Sequence, residues 1–125
     1  MTMTLAKCDA SIYGVELAAL TGAACLLNGF SDRTRLAIVQ HLLSGEHRVV
    51  DLVGHLGLAQ STVSRHLACL SDCGLVKVRA QGRASWYSLT HPEATVEFLA
   101  VVERMLTLTG DAVALCPVYG AEERA

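Results

Sequence analysis

Two cysteines, Cys69 and Cys73, lie four residues apart near the end of a predicted helix. On an α-helix, that spacing places both side chains on one face, a turn apart. Two thiolates so placed supply half of the ligands that a soft metal ion requires. Packing is the other interpretation, because free cysteine often behaves as a small buried apolar residue. The spacing alone leaves both interpretations open.

The chain of 125 residues contains three further cysteines, Cys8, Cys25 and Cys116. We expect a cytoplasmic protein, and in that reducing compartment five cysteines favour thiol chemistry or metal ligation over disulfide bonds. Cys25 falls on the apolar face of the first predicted helix, which favours packing in the core or at a dimer interface. Cys8 belongs to a polar N-terminal arm and is either an additional ligand or a bystander.

A second group of side chains has the chemistry to read DNA. Residues 60–91 carry four Lys or Arg against one Asp, a local charge of +3 in a chain of net charge −2. Hydrogen-bonding side chains at the start of a helix and basic ones on a hairpin can contact base edges and phosphates. For each residue alone, an ordinary polar surface is the alternative. The predicted DNA-contacting residues are Gln60, Ser61, Thr62, Ser64, Arg65, His66, Arg79, Gln81 and Arg83.

The elements that position these residues begin with four predicted helices. Apolar residues recur at helical spacing over residues 15–27, and a second helix follows with Ser31 as its predicted N-cap. A short helix over about residues 49–56 is followed by a three-residue connection. The next helix, over residues 60–73, has Ser61 as its predicted cap. A short helix, a tight connection and a second helix form a helix-turn-helix.

After this motif the apolar period changes from 3.6 to two, which predicts a β-hairpin turned at Gly82. A last helix begins near Pro92. The sequence therefore predicts a mainly α fold with a small β-hairpin wing, a winged helix-turn-helix. We divide the chain into an arm (1–13), this domain (14–115) and a C-terminal tail (116–125).

Composition excludes several classes of protein. Hydrophobic residues make up 52% of the chain, which excludes a disordered protein, and its 125 residues leave little room for a large cofactor-binding fold. No apolar run is long enough to span a bilayer, so no membrane partner is expected. The sequence lacks a Gly-rich phosphate loop and a close Cys/His/Asp constellation, which argues against an enzyme. Because the chain is small, helical and rich in apolar residues, we expect it to oligomerise.

Residues 31–39 (SDRTRLAIV) resemble the D-P-T-R-L-x-I-L opening of the ArsR/SmtB family of metal-responsive repressors, with Arg33 in place of proline. Residues 56–67 resemble the family's recognition helix, L-x-x-S-x-V-S-x-H-L, and residues 75–89 its wing. The resemblance covers about residues 14–108. It implies a repressor that binds operator DNA as a homodimer, paired through its first and last helices, and that an inducer releases.

Residues 68–76 (ACLSDCGLV) are similar to S-C-L-x-x-C-G-L-V of the family's cadmium- and lead-sensing branch, the CmtR type. That branch takes a third thiolate from the C-terminal region. The resemblance therefore implies a site of Cys69, Cys73 and Cys116, with Cys8 as an extra candidate ligand. The implied inducer is a cadmium or lead ion, with zinc as a surrogate. The alternative is a thiol-redox or arsenite-responsive repressor of the same fold, in which Cys73 and Cys116 could form a disulfide.

Other metal sites of the family lack their ligands here. Residues 48–53 contain no cysteine, and no histidine follows His91 on the last helix. We expect His66 to meet DNA or to cap a neighbouring helix. The remaining histidines are predicted to be structural or solvated: His41, His47, His55 and His91.

Overall fold

The computed structural model describes residues 15–115, which form six helices and three strands. In chain order these are α1 (Val15–Ala19), α2 (Thr21–Gly29), α3 (Arg33–Leu42), β1 (His47–Arg48), α4 (Val49–Leu56), α5 (Gln60–Asp72), β2 (Val76–Gln81), β3 (Ala84–Leu89) and α6 (Pro92–Thr109). Helices α4 and α5 form the predicted helix-turn-helix, and β2 and β3 form the wing. Cys8 and Cys116, in the predicted arm and tail, lie outside the described residues. Between residues 15 and 115, no helix is long and apolar enough to cross a membrane.

One predicted helix is divided in the structure, and the predicted N-cap of another is wrong. The helix predicted over residues 15–27 is divided at Leu20 into α1 and α2. Helix α5 begins after Ala59, whose extended backbone (φ −65°, ψ 148°) makes it the N-cap without any side-chain hydrogen bond. Ser61 therefore lies inside the first turn and does not cap the helix.

The predicted Ser31 cap of α3 is also wrong, because Asp32 takes that position. Its backbone is extended (φ −131°, ψ 139°), and its carboxylate accepts hydrogen bonds from the backbone N–H groups of Thr34 (2.8 Å) and Arg35 (3.1 Å). A carboxylate here also interacts favourably with the helix dipole. The Ser31 hydroxyl donates instead to the carbonyl oxygen of Asn28 at 2.9 Å.

The sheet has a third strand that sequence periodicity did not predict. Strand β1 is only two residues long, too short to show alternation. It pairs antiparallel with β3, with His47 opposite Tyr87 and Arg48 opposite Trp86, so the strand order is β1-β3-β2. The hairpin turns at Gly82, whose φ of +63° is rarely adopted by other residues. The wing is thereby attached to the strand that leads directly into α4.

The core fixes α5 against the rest of the domain. Its buried apolar residues are Ile38, Val39, Leu42, Leu52, Val63, Leu67, Leu70, Val76, Leu89 and Leu99. Three of them, Val63, Leu67 and Leu70, form the inward face predicted for α5. At the far end of α5, helix α2 approaches so closely that a Cβ on Gly29 would lie 2.5 Å from Leu75 Cδ1. The N-terminal helices therefore rest directly on the end of α5.

Candidate DNA-contacting surface and thiol cluster

The predicted DNA-contacting residues of α5 lie in its first two turns. Gln60, Ser61 and Arg65 are exposed, and Thr62 and Ser64 are half-buried. The first N–H groups of a helix lack intrahelical partners and carry partial positive charge, which favours a phosphate. This end of α5 therefore combines an anion-attracting backbone with side chains that can hydrogen-bond to base edges.

His66 differs from the rest of this set, because both nitrogens of its ring face the protein. Its side chain is only 12% exposed, and its Nε2 lies 3.8 Å from a carboxylate oxygen of Asp32. The Arg35 guanidinium approaches its Nδ1 at 3.1 Å and also donates to the carbonyl oxygens of Asn28 and Gly29. Arginine has no acceptor, so Nδ1 must accept and the proton of the neutral ring sits on Nε2. The imidazole thus connects α5 to the start of α3.

The Asp32 carboxylate in this connection is held in its charged form. The backbone N–H of Arg35 is the largest cause that lowers the pKa of Asp32, and the N–H of Thr34 and the nearby charges of His66 and Arg35 lower it further. One carboxylate therefore caps α3 and also lies beside the ring on α5.

On the wing, Arg79 is engaged by protein groups. Its Nε and Nη2 donate to the two carboxylate oxygens of Glu46 at 2.7 and 2.8 Å, and its Nη1 donates to the Gln81 amide oxygen at 2.9 Å. These hydrogen bonds lower the pKa of Glu46 and raise that of Arg79. The guanidinium also lies over the Trp86 ring, 5.7 Å from its centroid. Arg79 and Gln81 therefore stabilise the wing through these hydrogen bonds, and both are exposed on its surface.

A cleft of about 290 Å³ joins the wing to the helix-turn-helix. Its lining includes Gln60 at the start of α5, Arg83 beyond the wing turn and Arg48 before α4. Two predicted DNA-contacting residues, Gln60 and Arg83, are thus brought to one place from separate elements. The predicted DNA-contacting surface therefore continues from α5 to the wing at this cleft, where two arginines line it.

At the other end of α5 the structure assembles a cluster of three thiols. The sulfur atoms of Cys25 and Cys73 lie 2.7 Å apart, and the Cys73 thiol donates to the carbonyl oxygen of Cys25 at 2.9 Å. Asn28 on α2 directs its amide nitrogen toward the Cys69 sulfur at 3.8 Å. All three cysteines are half-buried and free. We call Cys25, Cys69 and Cys73 the thiol cluster.

The Cys73 thiol is held in its protonated form. Burial is the main cause that raises its pKa from 9.0 to about 12, and hydrogen bonding and charge from Cys25 and Cys69 raise it further. Neighbouring thiols act in this direction because a second negative charge at close range is unfavourable. Any ligation or oxidation at Cys73 must therefore first remove a firmly held proton.

The contact between Cys25 and Cys73 does not follow from the sequence, which favours packing in the core or at a dimer interface for Cys25. The available signal was that Cys25 and Gly29 lie four residues apart and share one face of α2. The structure shows that this face meets Cys73, whose Cβ would lie 3.8 Å from a Cβ on Gly29. Over residues 15–115, no three His, Cys, Asp or Glu side chains are already arranged to hold a metal ion. Ligation therefore requires side-chain rotation or a further ligand.

The segment that precedes Cys116 is anchored to the domain. Gln40 on α3 donates its amide to the Leu115 carbonyl oxygen at 2.6 Å, and the Leu115 N–H donates to the Glu103 carboxylate. Leu115 packs against the core and shares with Leu27 of α2 a cleft of about 430 Å³. The chain is thus fixed close to the N-terminal helices one residue before Cys116.

An apolar surface remains exposed on the first and last helices and the segment after α6. Leu17 and Leu108, for example, are 73% and 85% exposed. Other large apolar side chains here are 40–60% exposed: Leu20, Leu26, Leu27, Val101, Met105 and Val113. Apolar surface on this scale on the terminal helices of a small domain is typical of an interface with another molecule.

Comparison with known proteins agrees with this architecture. The profile described as "Bacterial regulatory protein, arsR family" matches residues 32–78. The chain is 38% identical over 86 residues to the "Probable mercury resistance operon repressor" of Streptomyces lividans, covering 69% of this chain and 67% of that protein. It is 37% identical over 81 residues to the "HTH-type transcriptional regulator CmtR" of Mycobacterium bovis, covering 65% of this chain and 69% of that protein.

Among solved structures, the chain resembles the homodimeric winged helix-turn-helix DNA-binding domain Mb0332 of Mycobacterium bovis. The TM-score is 0.66 at 26% identity, over 76% of this chain and 89% of that domain. The fold and its exposed helix define a winged helix-turn-helix transcriptional regulator. More specifically, the protein belongs to the ArsR family, as its motifs indicated, and the family's regulators are not enzymes.

Proposed function

We propose that the protein is a repressor that binds operator DNA as a homodimer and leaves it when Cys69, Cys73 and Cys116 bind cadmium or lead. The main support is that one helix carries candidate residues for both activities. The side chains suited to base contact occupy the first turns of α5, whereas Cys69 and Cys73 occupy its end. Because an α-helix moves nearly as a rigid rod, a displacement of its thiol end also reorients its DNA-facing end.

The DNA-contacting surface in this proposal is the start of α5 together with the wing. Arg65, Gln60 and the Ser and Thr side chains reach the major groove, and Arg83 reaches the backbone beside it. Arg79 and Gln81 hydrogen-bond to each other, so they contact the DNA backbone only through the donor groups that this bond leaves available. His66 acts by holding α5 on α3. Operator DNA is the expected partner, and the cytoplasm is where the protein would meet it.

The apolar surface of α1, α2 and α6 supports a homodimer. Exposed Leu17 and Leu108 lie on the first and last helices, the pair that the family resemblance assigns to dimerisation. Two copies of α5 can then reach half-sites about 34–36 Å apart, one turn of DNA. The Mycobacterium bovis domain of similar fold is itself described as homodimeric.

The chemistry of the donor atoms fits a thiophilic ion. A set of sulfur ligands with no nitrogen prefers large soft cations, and zinc could substitute. Cys73 must release its proton and its hydrogen bond to the Cys25 carbonyl to become a ligand, so binding weakens as pH falls. Cys116, the third proposed ligand, directly follows the anchored Leu115. Cys8 remains a proposed extra ligand.

Ligand identity is tested by an anaerobic cadmium titration of reduced protein, followed by thiolate-to-metal absorption in the ultraviolet. We expect saturation at one ion per chain with a signal of about three thiolates. Cys69→Ser, Cys73→Ser and Cys116→Ser should each weaken the signal, whereas Ser71→Ala, on the same helix, should not. An undiminished signal in Cys116→Ser would remove that residue from the site, and no signal in the wild type would exclude the metal proposal.

The coupling to DNA is tested by fluorescence anisotropy with a labelled fragment from the promoter of the protein's own gene. Cadmium should weaken wild-type binding by about 5–150-fold, the usual scale of allosteric coupling, about 1–3 kcal/mol. Cys69→Ser and Cys73→Ser should remain bound in cadmium. Release of both variants at the wild-type concentration would contradict the proposed site.

One observation favours a second function, a thiol-redox repressor. The short distance between the Cys25 and Cys73 sulfur atoms makes this pair a candidate for disulfide formation. With hydrogen peroxide, the two thiols would lose two protons and two electrons to form one S–S bond, and the peroxide would be reduced to two waters. This pair differs from the Cys73–Cys116 pair considered from sequence. Peptide mass spectrometry after peroxide treatment distinguishes the two pairs, and arsenite added to reduced protein tests the arsenite-responsive alternative.

A further inference from the structure

Three histidines predicted to be structural or solvated lie close together, on elements other than those that carry the thiol cluster. His41 lies in the last turn of α3, His47 on β1 and His55 in the last turn of α4. The centroid of the His55 ring lies 5.0 Å from that of His41 and 5.6 Å from that of His47, and the His41 and His47 centroids are 6.4 Å apart. The three rings therefore form a triangle.

The size of this triangle matches a shared metal ion. Zinc binds histidine nitrogen at about 2.0–2.1 Å in tetrahedral geometry, which places the centroids of its imidazole ligands about 5 Å apart. The observed separations run from 5.0 to 6.4 Å, so one matches this value and two exceed it. The ring planes are inclined by 59–74°, so the rings do not stack. As they stand the rings are not arranged to hold an ion, so ligation requires the side chains to rotate until one nitrogen of each ring reaches a common point.

The hydrogen bonding of His47 prepares it for ligation. Its Nδ1 lies 3.0 Å from the carbonyl oxygen of Gly45, an acceptor only, so Nδ1 carries the proton. The lone pair of Nε2 is then free. Metal-bound histidine almost always has this arrangement, in which the second nitrogen donates to a carbonyl or carboxylate.

The surroundings favour a neutral imidazole at His41 and a nitrogen-only site. Burial is the main cause that lowers the pKa of His41, and the charges of His55 and His47 lower it further, so its ring stays neutral. Glu46, beside His47 in the chain, is engaged by Arg79 through two hydrogen bonds. The last turns of α3 and α4 also present carbonyl groups, whose partial negative charge favours a cation.

We propose that His41, His47 and His55 form a second metal site, for a zinc-class divalent ion with water as the fourth ligand. Imidazole ligands suit zinc, nickel and copper, whereas the proposed site of Cys69, Cys73 and Cys116 suits softer ions, so the two sites prefer different metals. The ion would connect α3, β1 and α4. It would thereby stabilise the first helix of the helix-turn-helix against the strand that holds the wing.

The first test follows the histidine ring signals by long-range ¹H–¹⁵N NMR while Zn²⁺ is added to reduced wild-type protein. This readout identifies each ring, so zinc bound by cysteine does not confuse it. We expect the signals of His41, His47 and His55 to shift together, while that of His91 does not move. Unmoved signals from the three rings would overturn the proposal.

The second test compares zinc stoichiometry in competition with a chromophoric chelator. His55 is exposed, so His55→Gln should fold normally, which far-UV circular dichroism checks. This variant and His47→Gln should each bind one zinc fewer per chain than the wild type, or bind it at least tenfold more weakly. His91→Gln, an exposed control outside the triangle, should match the wild type. Equal stoichiometry and affinity in all four proteins would exclude the site.

Discussion

The sulfur atoms of Cys25 and Cys73 lie 2.7 Å apart although 48 positions separate the two residues in the chain. The contact joins α2, whose exposed leucines belong to the proposed dimer surface, to the end of the helix proposed to read DNA. A change at either thiol therefore acts at the junction of these two surfaces. The Cys73 thiol and Cys25 carbonyl reinforce this junction through their hydrogen bond.

Removing one thiol of this pair should make the other more reactive. Cys25 is one of the causes that raise the pKa of Cys73 to about 12, although burial is the largest. In Cys25→Ala that pKa should fall, and the thiolate fraction rises about tenfold for each unit while pH remains below the pKa. We expect iodoacetamide to modify Cys73 several-fold faster at pH 9.

The measurement is peptide mass spectrometry over time, with Cys69 in the same protein as the internal reference. The ratio of the Cys73 rate to the Cys69 rate should rise in Cys25→Ala. An unchanged ratio would mean that Cys25 does not control the protonation of Cys73.

The raised pKa of Cys73 also predicts a loss of stability in alkali. The folded state keeps the thiol proton up to about pH 12, whereas the unfolded chain loses it near pH 9.0. Below pH 9 the two states bind this proton equally. As pH rises above 9 the unfolded state is increasingly favoured, so the free energy of unfolding falls.

Urea denaturation of reduced protein at pH 7, 9 and 10 measures this effect. Lys and Tyr also titrate there, so Cys73→Ser serves as the comparison. The wild type should lose more of its free energy of unfolding between pH 7 and 10 than Cys73→Ser does. Parallel losses in the two proteins would contradict the assignment to Cys73.

The sequence predicted those features of the fold that depend on local pattern. The 3.6-residue period identified the inward face Val63, Leu67 and Leu70, and alternation identified the wing. The bounds of α4 were correct because Gly57 ends that helix in the left-handed conformation, with φ +67°. Strand β1 has no sequence signal because two residues show no period, and the sequence does not separate Ser31 from Asp32 as the cap because serine and aspartate both suit that position.

The candidate sites were predicted only in part, because they depend on contacts between distant elements. The Cys69 and Cys73 pair is visible as spacing on one helix. Cys25 joins it only through the packing of α2 against α5, for which Gly29 was the sole local sign. The histidine triangle combines α3, β1 and α4, and no spacing within one element reveals it.

The close approach of α2 can be tested at Gly29. A Cβ there would lie 2.5 Å from Leu75 Cδ1, so Gly29→Ala forces the leucine tip to shift. Overpacking of this kind costs about 1–3 kcal/mol, and the low end applies here because Leu75 Cδ1 is the tip of a flexible side chain. We expect Gly29→Ala to have a lower free energy of unfolding than Gly54→Ala in urea denaturation, together with faster modification of Cys73 as the helices separate.

Gly54→Ala is the matched control on α4. No heavy atom lies within 4 Å of its added Cβ, and alanine favours a helix interior over glycine by about 0.8–1 kcal/mol. This variant should be more stable than the wild type. Gly29→Ala as stable as Gly54→Ala would show that α2 does not press on Leu75 in solution.

Arg65 provides the test of the DNA-contacting surface. It is exposed in the second turn of α5, and none of the hydrogen bonds or ion pairs described above involves it. In Arg65→Ala, operator affinity measured by anisotropy should fall about tenfold, since a good base contact contributes about 1–3 kcal/mol. If the guanidinium contacts a phosphate instead, the loss should be similar for every DNA sequence, and the slope of log affinity against log salt should decrease by about 1.

Arg104→Ala removes the same charge from an exposed position on α6 and should bind the operator as the wild type does. Both variants should bind cadmium normally, which shows that the metal site is intact. Equal operator affinity in the two variants would place the DNA-contacting surface elsewhere on the domain.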